Sequence, residues 1–269
     1  MLRAGIAAHV QQLKGISCAP EQVIVTTGGA HSIWLLGCLF RELKPGALVE
    51  DPVVSFVPET LRRSGHTLTA VPVDGHGIVV DALPKSPKAG VIFVSPSHQF
   101  PLGGTLLIQR RLALLDYARR HDMFLVEDDY DSEFRFAGAP VSSLFRLDPR
   151  RAIHVGTFSK SLAPAIRVGY IVLPVELVAM MLEVWRPLHF AGSRFTQEVL
   201  ARFLKDGHLS RHVARMKRVY QRKMQALHQA LEQHFGSEVT VSGNSTANSS
   251  PPIRAAQSTF CRRQLEMAL

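Results

Sequence analysis

The stretch AIHVGTFSKSLAPAIRVGYIVL, residues 152–173, decides how this chain folds. It opens with one apolar run, AIHVG, and closes with another, VGYIVL. Between them lies a turn of small and hydroxyl-bearing residues that holds Lys160, with Arg167 following beyond Pro164. Runs this short, with no polar alternation, predict strands covered on both faces. The same signal recurs upstream as VIVT from Val23, ALVE from Ala47, LTAVPV from Leu68, GVIFVS from Gly90 and MFLVED from Met123. Amphipathic stretches lie between the runs. The clearest is LLIQRRLALLDYARRH, residues 106–121, with Ile108, Leu112, Leu115 and Ala118 predicted on the buried side. After Leu173 the strand signals stop, and helices are predicted over 174–189, 193–205 and 209–235. Strands alternating with helices predict an α/β domain whose mostly parallel central sheet is covered by helices.

Composition narrows the setting. With 269 residues, 46% hydrophobic and 20% charged, the chain can bury a full core and is not a disordered polymer. The longest apolar run, Ile33 to Phe40, falls well short of the roughly 20 residues that span a bilayer, and no early segment has a signal-peptide pattern. A cytoplasmic protein is therefore expected. Cys18, Cys38 and Cys261 are odd in number and far apart, which predicts reduced thiols rather than disulfides or a zinc knuckle. The net charge is +9, and its densest part is Arg211 to Lys223. There Val213, Met216, Tyr220, Met224, Leu227 and Leu231 keep a helical spacing. The preferred reading is a helix with one buried face and solvated cations, over a nucleic-acid surface. The stretch SGNSTANSSPPIRAAQ, residues 242–257, has no period and reads as loop or disorder. The expected organisation is one incomplete domain over 1–243 and a biased tail over 244–269.

In open α/β sheets, ligands bind beyond the carboxyl ends of the strands. Four such places carry chemistry. In VIVTTGGAHS, residues 23–32, a strand runs through Gly28 and Gly29 into a helix, which offers free N–H groups to a phosphate; a plain tight turn would use glycines too. In FVSPSHQFPLGG, residues 93–104, a turn carries Ser97, His98 and Gln99. In FLVEDDYDSEFRF, residues 124–136, five acids crowd together and call for a cation, either a metal or a protonated ring nitrogen. The fourth place is the opening stretch: an amine drawn out of water becomes a nucleophile toward aldehydes, and an arginine suits phosphate. Together they specify a ligand with a phosphate, an aldehyde and a basic ring nitrogen. Pyridoxal 5'-phosphate has all three, and no metal is called for.

SPSHQFPLG (95–103), EDDYDSEFR (127–135) and GTFSKSLAPAIRVGY (156–170), in that order and at that spacing, resemble the fold-type-I pyridoxal-phosphate-dependent aminotransferases of class I/II. Within them the chain looks most like the aminotransferase-like domain of MocR-type regulators of the GntR superfamily. The resemblance extends from about residue 2 to about residue 243. It implies the aminotransferase large domain, with Lys160 forming the Schiff base and Asp128 pairing with the pyridine nitrogen. Tyr130 would donate to the ring's phenolic oxygen. Arg167, Thr157, Ser159 and the backbone of Gly29 and Ala30 would hold the phosphate, and His98 or Gln99 would contact the cofactor. It also implies a homodimer.

Several positions depart from that pattern. EDPVVSF, residues 50–56, has Val54 where the family usually stacks an aromatic ring on the cofactor, so weaker cofactor affinity is expected; Phe56 would replace that ring only if the loop shifted. Phe100 stands where aminotransferases place an asparagine. Beyond VTVSG (239–243) the resemblance stops, and no winged helix-turn-helix motif precedes Met1. A chain truncated at both ends, with a frame-shifted tail and most of the small C-terminal domain missing, is therefore the expectation. Two functions follow from the resemblance. One is transamination between an amino acid and a 2-oxo acid; the alternative is the effector-sensing domain of a MocR/GntR-type regulator, which would not recognise an operator by itself. An inactive fragment is the third outcome.

Overall fold

A computed structural model of the chain describes residues 1–134, 142–188 and 192–236. Its centre is an eight-stranded sheet of β1 (Val23–Thr26), β2 (Gly46–Asp51), β3 (Thr67–Asp74), β4 (Gly77–Ile78), β5 (Val91–Val94), β6 (Phe124–Asp129), β7 (Ala152–Thr157) and β8 (Gly169–Val172). The spatial order is β1-β8-β7-β6-β5-β2-β3-β4. The contiguous run from β7 through β6, β5 and β2 to β3 is parallel, whereas β8 runs antiparallel between β1 and β7. Each of the seven strands expected from apolar runs is present. The eighth, β4, is a two-residue return paired with β3, too short to leave a pattern.

The helices are α1 (Leu2–Lys14), α2 (Gly29–Leu43), α3 (Phe56–Arg63), α4 (Ile108–Arg120), α5 (Leu144–Leu147), α6 (Val175–Trp185), α7 (Arg194–Lys205) and α8 (His208–Phe235). Alternation along the strands splits the interior in two, because successive side chains point to opposite faces. Leu125, Ala152, Tyr170 and Val172 face a core shared with α1, α4, α5 and α7. Val126, Ile153, Val155 and Ile171 face a second core beneath α2, α3 and α6. The sheet is thus covered on both sides, which is why its strands are apolar throughout.

Two expectations about helix faces need correction. In α4 the buried residues are Arg111, Leu114, Leu115, Tyr117 and Ala118, while Leu112 and Ile108 are 52% and 40% exposed. The cause is Arg111. It is fully buried and donates to the carbonyls of Leu106, Pro96 and Ser142, so it pins the face that a polarity scan turns outward. In α8 only Leu209 is buried. Tyr220 meets Phe134 edge-on at 5.0 Å, but Leu227 is 55% exposed, because α8 meets chiefly α7 and the short turn Ser132–Phe134. The stripe from Val213 to Leu231 is therefore half-covered rather than buried.

No described helix is long and apolar enough to cross a membrane. The expected tail over 244–269 lies outside the described residues.

Candidate functional site

The carboxyl ends of β1, β2, β5, β6 and β7 share one edge with the start of β8, since β8 runs the other way. The chemistry-bearing turns converge at that edge.

The phosphate-like corner forms where β1 gives way to α2. Gly28 sits at φ 122°, a conformation that glycine adopts without strain, and caps the helix with no side-chain hydrogen bond. The first N–H groups of α2, Gly29 and Ala30 among them, have no acceptor within the helix and carry the positive end of its dipole. A side-chain carbon at Gly29 would meet nothing within 4 Å, so the turn opens on free space. Arg167 supplies the charge: a carbon added to Gly28 would lie 3.8 Å from its Nη1. Arg167 itself holds a left-handed backbone, φ 49° and ψ 47°, which costs a non-glycine residue about 1 kcal/mol. Gly169 lets these pieces meet. A Cβ there would stand 2.9 Å from Gly28 Cα and 2.9 Å from Thr26 Oγ1. Thr157 Oγ1 accepts from Ser159 N–H at 3.2 Å and lies 3.1 Å from Ser159 Oγ, so the two hydroxyls sit together at the end of β7. His31 lines an adjoining cavity of about 400 Å³ with Thr27, Ala30, Trp34 and Thr60; burial, then the Arg167 charge, holds it below the usual histidine range.

The acids of 127–133 sort themselves by partner. Glu127 accepts the N–H groups of Leu144 (2.8 Å) and Phe145 (3.2 Å) at the start of α5 and bonds His154 Nδ1 at 3.0 Å. Asp129 pairs with Lys14, and Ser132 bonds both. Asp131 bonds His98 Nδ1 at 2.6 Å, and Glu133 lies 3.7 Å from His9. Asp128 has no hydrogen bond or ion pair among the described residues. Burial, then the charge of Asp129 beside it, pushes its carboxyl up to about 7, with His154 pulling the other way. A carboxyl held back from ionising for want of a cation is what a protonated ring nitrogen would satisfy. Four of the five acids thus find cationic or ionisable partners in the chain: His154, Lys14, His98 and His9. Lys14 and His9 leave no signal beside the acids in sequence, because they lie on α1, more than a hundred residues away.

Of the two open candidates in the 95–104 turn, Gln99 is fully buried. Its amide donates to the carbonyls of Pro52 (2.7 Å) and Phe100 (2.9 Å) and accepts from Leu102 N–H, so it staples the loop and is spent. His98 remains half-exposed at the edge, 6.0 Å from the Tyr130 ring and nearly parallel to it. Tyr130 donates its hydroxyl to the His98 carbonyl at 2.9 Å, and burial with the nearby acids raises its pKa. Val54 and Phe56 both pack partly buried against the α2-side core, so the loop has not shifted to bring Phe56 over the site.

Lys160 departs from the expectation of a compact apolar setting. It is exposed. Phe158 and Ser161, each about 1% exposed, anchor the turn inward on either side of Lys160. Its amine has no hydrogen bond or ion pair among the described residues. Burial of that amine would have to come from a bound ligand.

Glu50, next to last in β2, is almost fully buried. Burial pushes its carboxyl up to about 8, although Ser95 N–H donates to it at 3.1 Å. Asp128 is also raised, and His98 is raised by its bond to Asp131. Glu50 and Asp128 keep protons in the folded chain up to about pH 8 and about pH 7 that the unfolded chain releases near pH 4, so their contribution to stability falls as pH rises from about 4 through about 8. The urea midpoint of the cofactor-free protein is expected to be lower at pH 8.5 than at pH 6.5; an equal or higher midpoint contradicts these protonation states.

A family model described as Aminotransferase class I and II matches residues 1–248. The chain is 36% identical over 248 residues to the HTH-type transcriptional regulator YdeL of Bacillus subtilis (strain 168), covering 91% of this chain and 53% of that protein. It is 35% identical over 245 residues to the probable rhizopine catabolism regulatory protein MocR of Rhizobium meliloti, covering 90% and 49%. The chain spans about half the length of these relatives. Among solved structures it is similar to an archaeal alanine:glyoxylate aminotransferase, with a TM-score of 0.81 and 27% identity, covering 87% of this chain and 60% of that one.

Proposed function

The chain belongs to the class I and II aminotransferase family, and from that premise we propose that it is the pyridoxal-phosphate-binding, effector-sensing part of a MocR/GntR-type transcription regulator. One observation carries the cofactor assignment. Asp128 has no hydrogen-bond or ion-pair partner among the described residues, at the same sheet edge where Arg167 closes on the open first turn of α2. The residues fit the group: an anion corner, an unpaired carboxyl and an unpaired amine on three adjacent elements. Identity of 35–36% to regulators, against 27% to the aminotransferase structure, supports sensing over turnover.

When bound, pyridoxal phosphate would supply an aldehyde carbon that accepts amines and a ring that withdraws electrons. Arg167, the Gly29 and Ala30 N–H groups, Thr157 and Ser159 would hold its phosphate. Asp128 would ionise against the ring nitrogen and keep a proton there. Lys160 would hold the aldehyde end, and its amine, exposed and without a hydrogen bond or ion pair among the described residues, would be open to that group from solvent. Tyr130 commits its proton to the His98 carbonyl and must turn from it to reach any ring oxygen. His98, held by Asp131, stands beside it at the edge of the site.

The test is a spectral titration. Adding pyridoxal phosphate to the purified chain is expected to give a visible band, which amino acids or amines then shift with no accumulation of 2-oxo acid. Steady 2-oxo acid production would instead establish transamination, and absence of any band would overturn the cofactor assignment. Sedimentation of the loaded protein tests the proposed homodimer.

A further inference from the structure

Helix α8 carries Arg211, Arg215, Arg218 and Arg222, all exposed. At 3.6 residues per turn these four fall within about 40° of one line and span about 16 Å of helix. Between Arg211 and Lys223 the helix holds six Lys and Arg residues and no acid. Among the described residues none of the four arginines has an ion pair. Arg211 reaches only the Asp206 carbonyl and His208.

A solvated helix face ordinarily interleaves acids, because i,i+4 pairs of opposite charge support the helix. Here 211/215 and 218/222 are like-charged i,i+4 pairs and 215/218 is an i,i+3 pair, each costing a few tenths of a kcal/mol. The row therefore repels itself, and among the described residues only Arg211 of the four returns hydrogen bonds to the fold, to the Asp206 carbonyl and His208. Such an array gathers counter-ions, and a polyanion that releases them binds with an entropic gain.

We propose that this arginine row is a docking surface for the phosphate backbone of duplex DNA, bound without sequence preference. A linear array of cations one helical turn apart suits a regularly charged rod. A membrane surface suits it less. An interfacial helix lays its apolar face into lipid, whereas here the half-covered stripe of Val213, Met216, Tyr220 and Met224 lies opposite the arginines and turns toward the protein, with Tyr220 on Phe134. The choice of DNA over other polyanions rests on the regulator reading; the surface itself does not depend on the cofactor.

The experiment is fluorescence anisotropy of the full chain with a labelled duplex of arbitrary sequence, across a series of salt concentrations. The variant replaces Arg211, Arg215, Arg218 and Arg222 by glutamine. Wild type is expected to bind at low salt, with a steep fall of log affinity against log salt. The variant is expected to lose about 3 to 4 units of that slope and at least about tenfold in affinity. Its far-UV circular dichroism and its visible cofactor band should match wild type, because the row lies outside the cofactor site. Removing the self-repulsion should leave the helix at least as stable. An unchanged slope overturns the proposal. So does preferential binding of polyglutamate or phosphatidylserine vesicles over DNA. Failure to bind pyridoxal phosphate would sink the sensor reading and leave this result standing.

Discussion

Borohydride reduction of the protein loaded with pyridoxal phosphate is expected to place the label on Lys160, and Lys160→Ala to abolish it. The placement of the other lysines makes this a sharp expectation. Lys14 is buried on the opposite face of the sheet and held by Asp129 and Ser132. Lys44 and Lys88 flank the starts of β2 and β5, at the far edge from the site, and Lys85 precedes β5 in the same connection as Lys88. Lys205, Lys217 and Lys223 belong to α7 and α8. Lys160 alone among these follows a strand whose neighbour presents Asp128, since Asp128 pairs with Val155 on β7. The alanine variant keeps the phosphate corner, so it should still retain some cofactor without the covalent bond. Arg167→Gln should do the reverse, keeping the label while binding more weakly. Peptide mapping that finds the label spread over several lysines would falsify the assignment.

The largest effect on stability is expected from Lys14→Met. The ammonium of Lys14 pairs with Asp129 across 115 residues of chain, with the two side chains 7% and 4% exposed, and Ser132 completes the cluster. Burial alone would depress the lysine pKa, but Asp129, Glu133 and Tyr170 more than offset it and the net shift is upward; Asp129 is correspondingly lowered by Lys14. Methionine keeps the stem and removes the charge, leaving Asp129 buried beside Asp128 with only hydroxyl and ring neighbours. Breaking one half of such a pair costs about 3–5 kcal/mol. Urea unfolding at pH 7 measures it, and a loss below about 1 kcal/mol would mean the pair is not buried in solution. The linkage has a definite sign. A lowered carboxyl and a raised amine both favour folding above the unfolded carboxylate range and below the unfolded lysine range. The pair's contribution is therefore flat from about pH 5 to 9 and is lost toward acid as pH falls through the Asp129 pKa. Asp129→Asn added to Lys14→Met should recover part of the loss, because it removes the orphaned charge.

The strands were legible because a sheet covered on both faces needs runs of Val, Ile and Leu with no polar interruption, and such runs survive in one dimension. The turns were legible because their residue types are chemically costly anywhere else: a glycine pair before a helix, five acids in seven residues, an arginine beyond a proline. Helix faces were less legible. The buried side of α4 is set by Arg111, whose three carbonyl acceptors come from Leu106, Pro96 and Ser142, and polarity alone turns an arginine outward. The helix α1 left no mark beyond ordinary amphipathicity, yet it carries the cation that balances Asp129.

The sequence by itself determined the α/β architecture, the strand set and the candidate residues Lys160, Asp128 and Arg167, because covalent order and local periodicity suffice for those. The tertiary structure decided which acid lacks a partner among the described residues, that Gln99 is spent on its own loop while His98 stays half-exposed, and that Lys160 stands in the open. Those outcomes depend on pairings between residues far apart in the chain, and a partner reached through space has no signature in the spacing of neighbours. Charge balance among Asp128, Asp129, Lys14 and His98 exists only once the sheet has brought its strand ends to one edge.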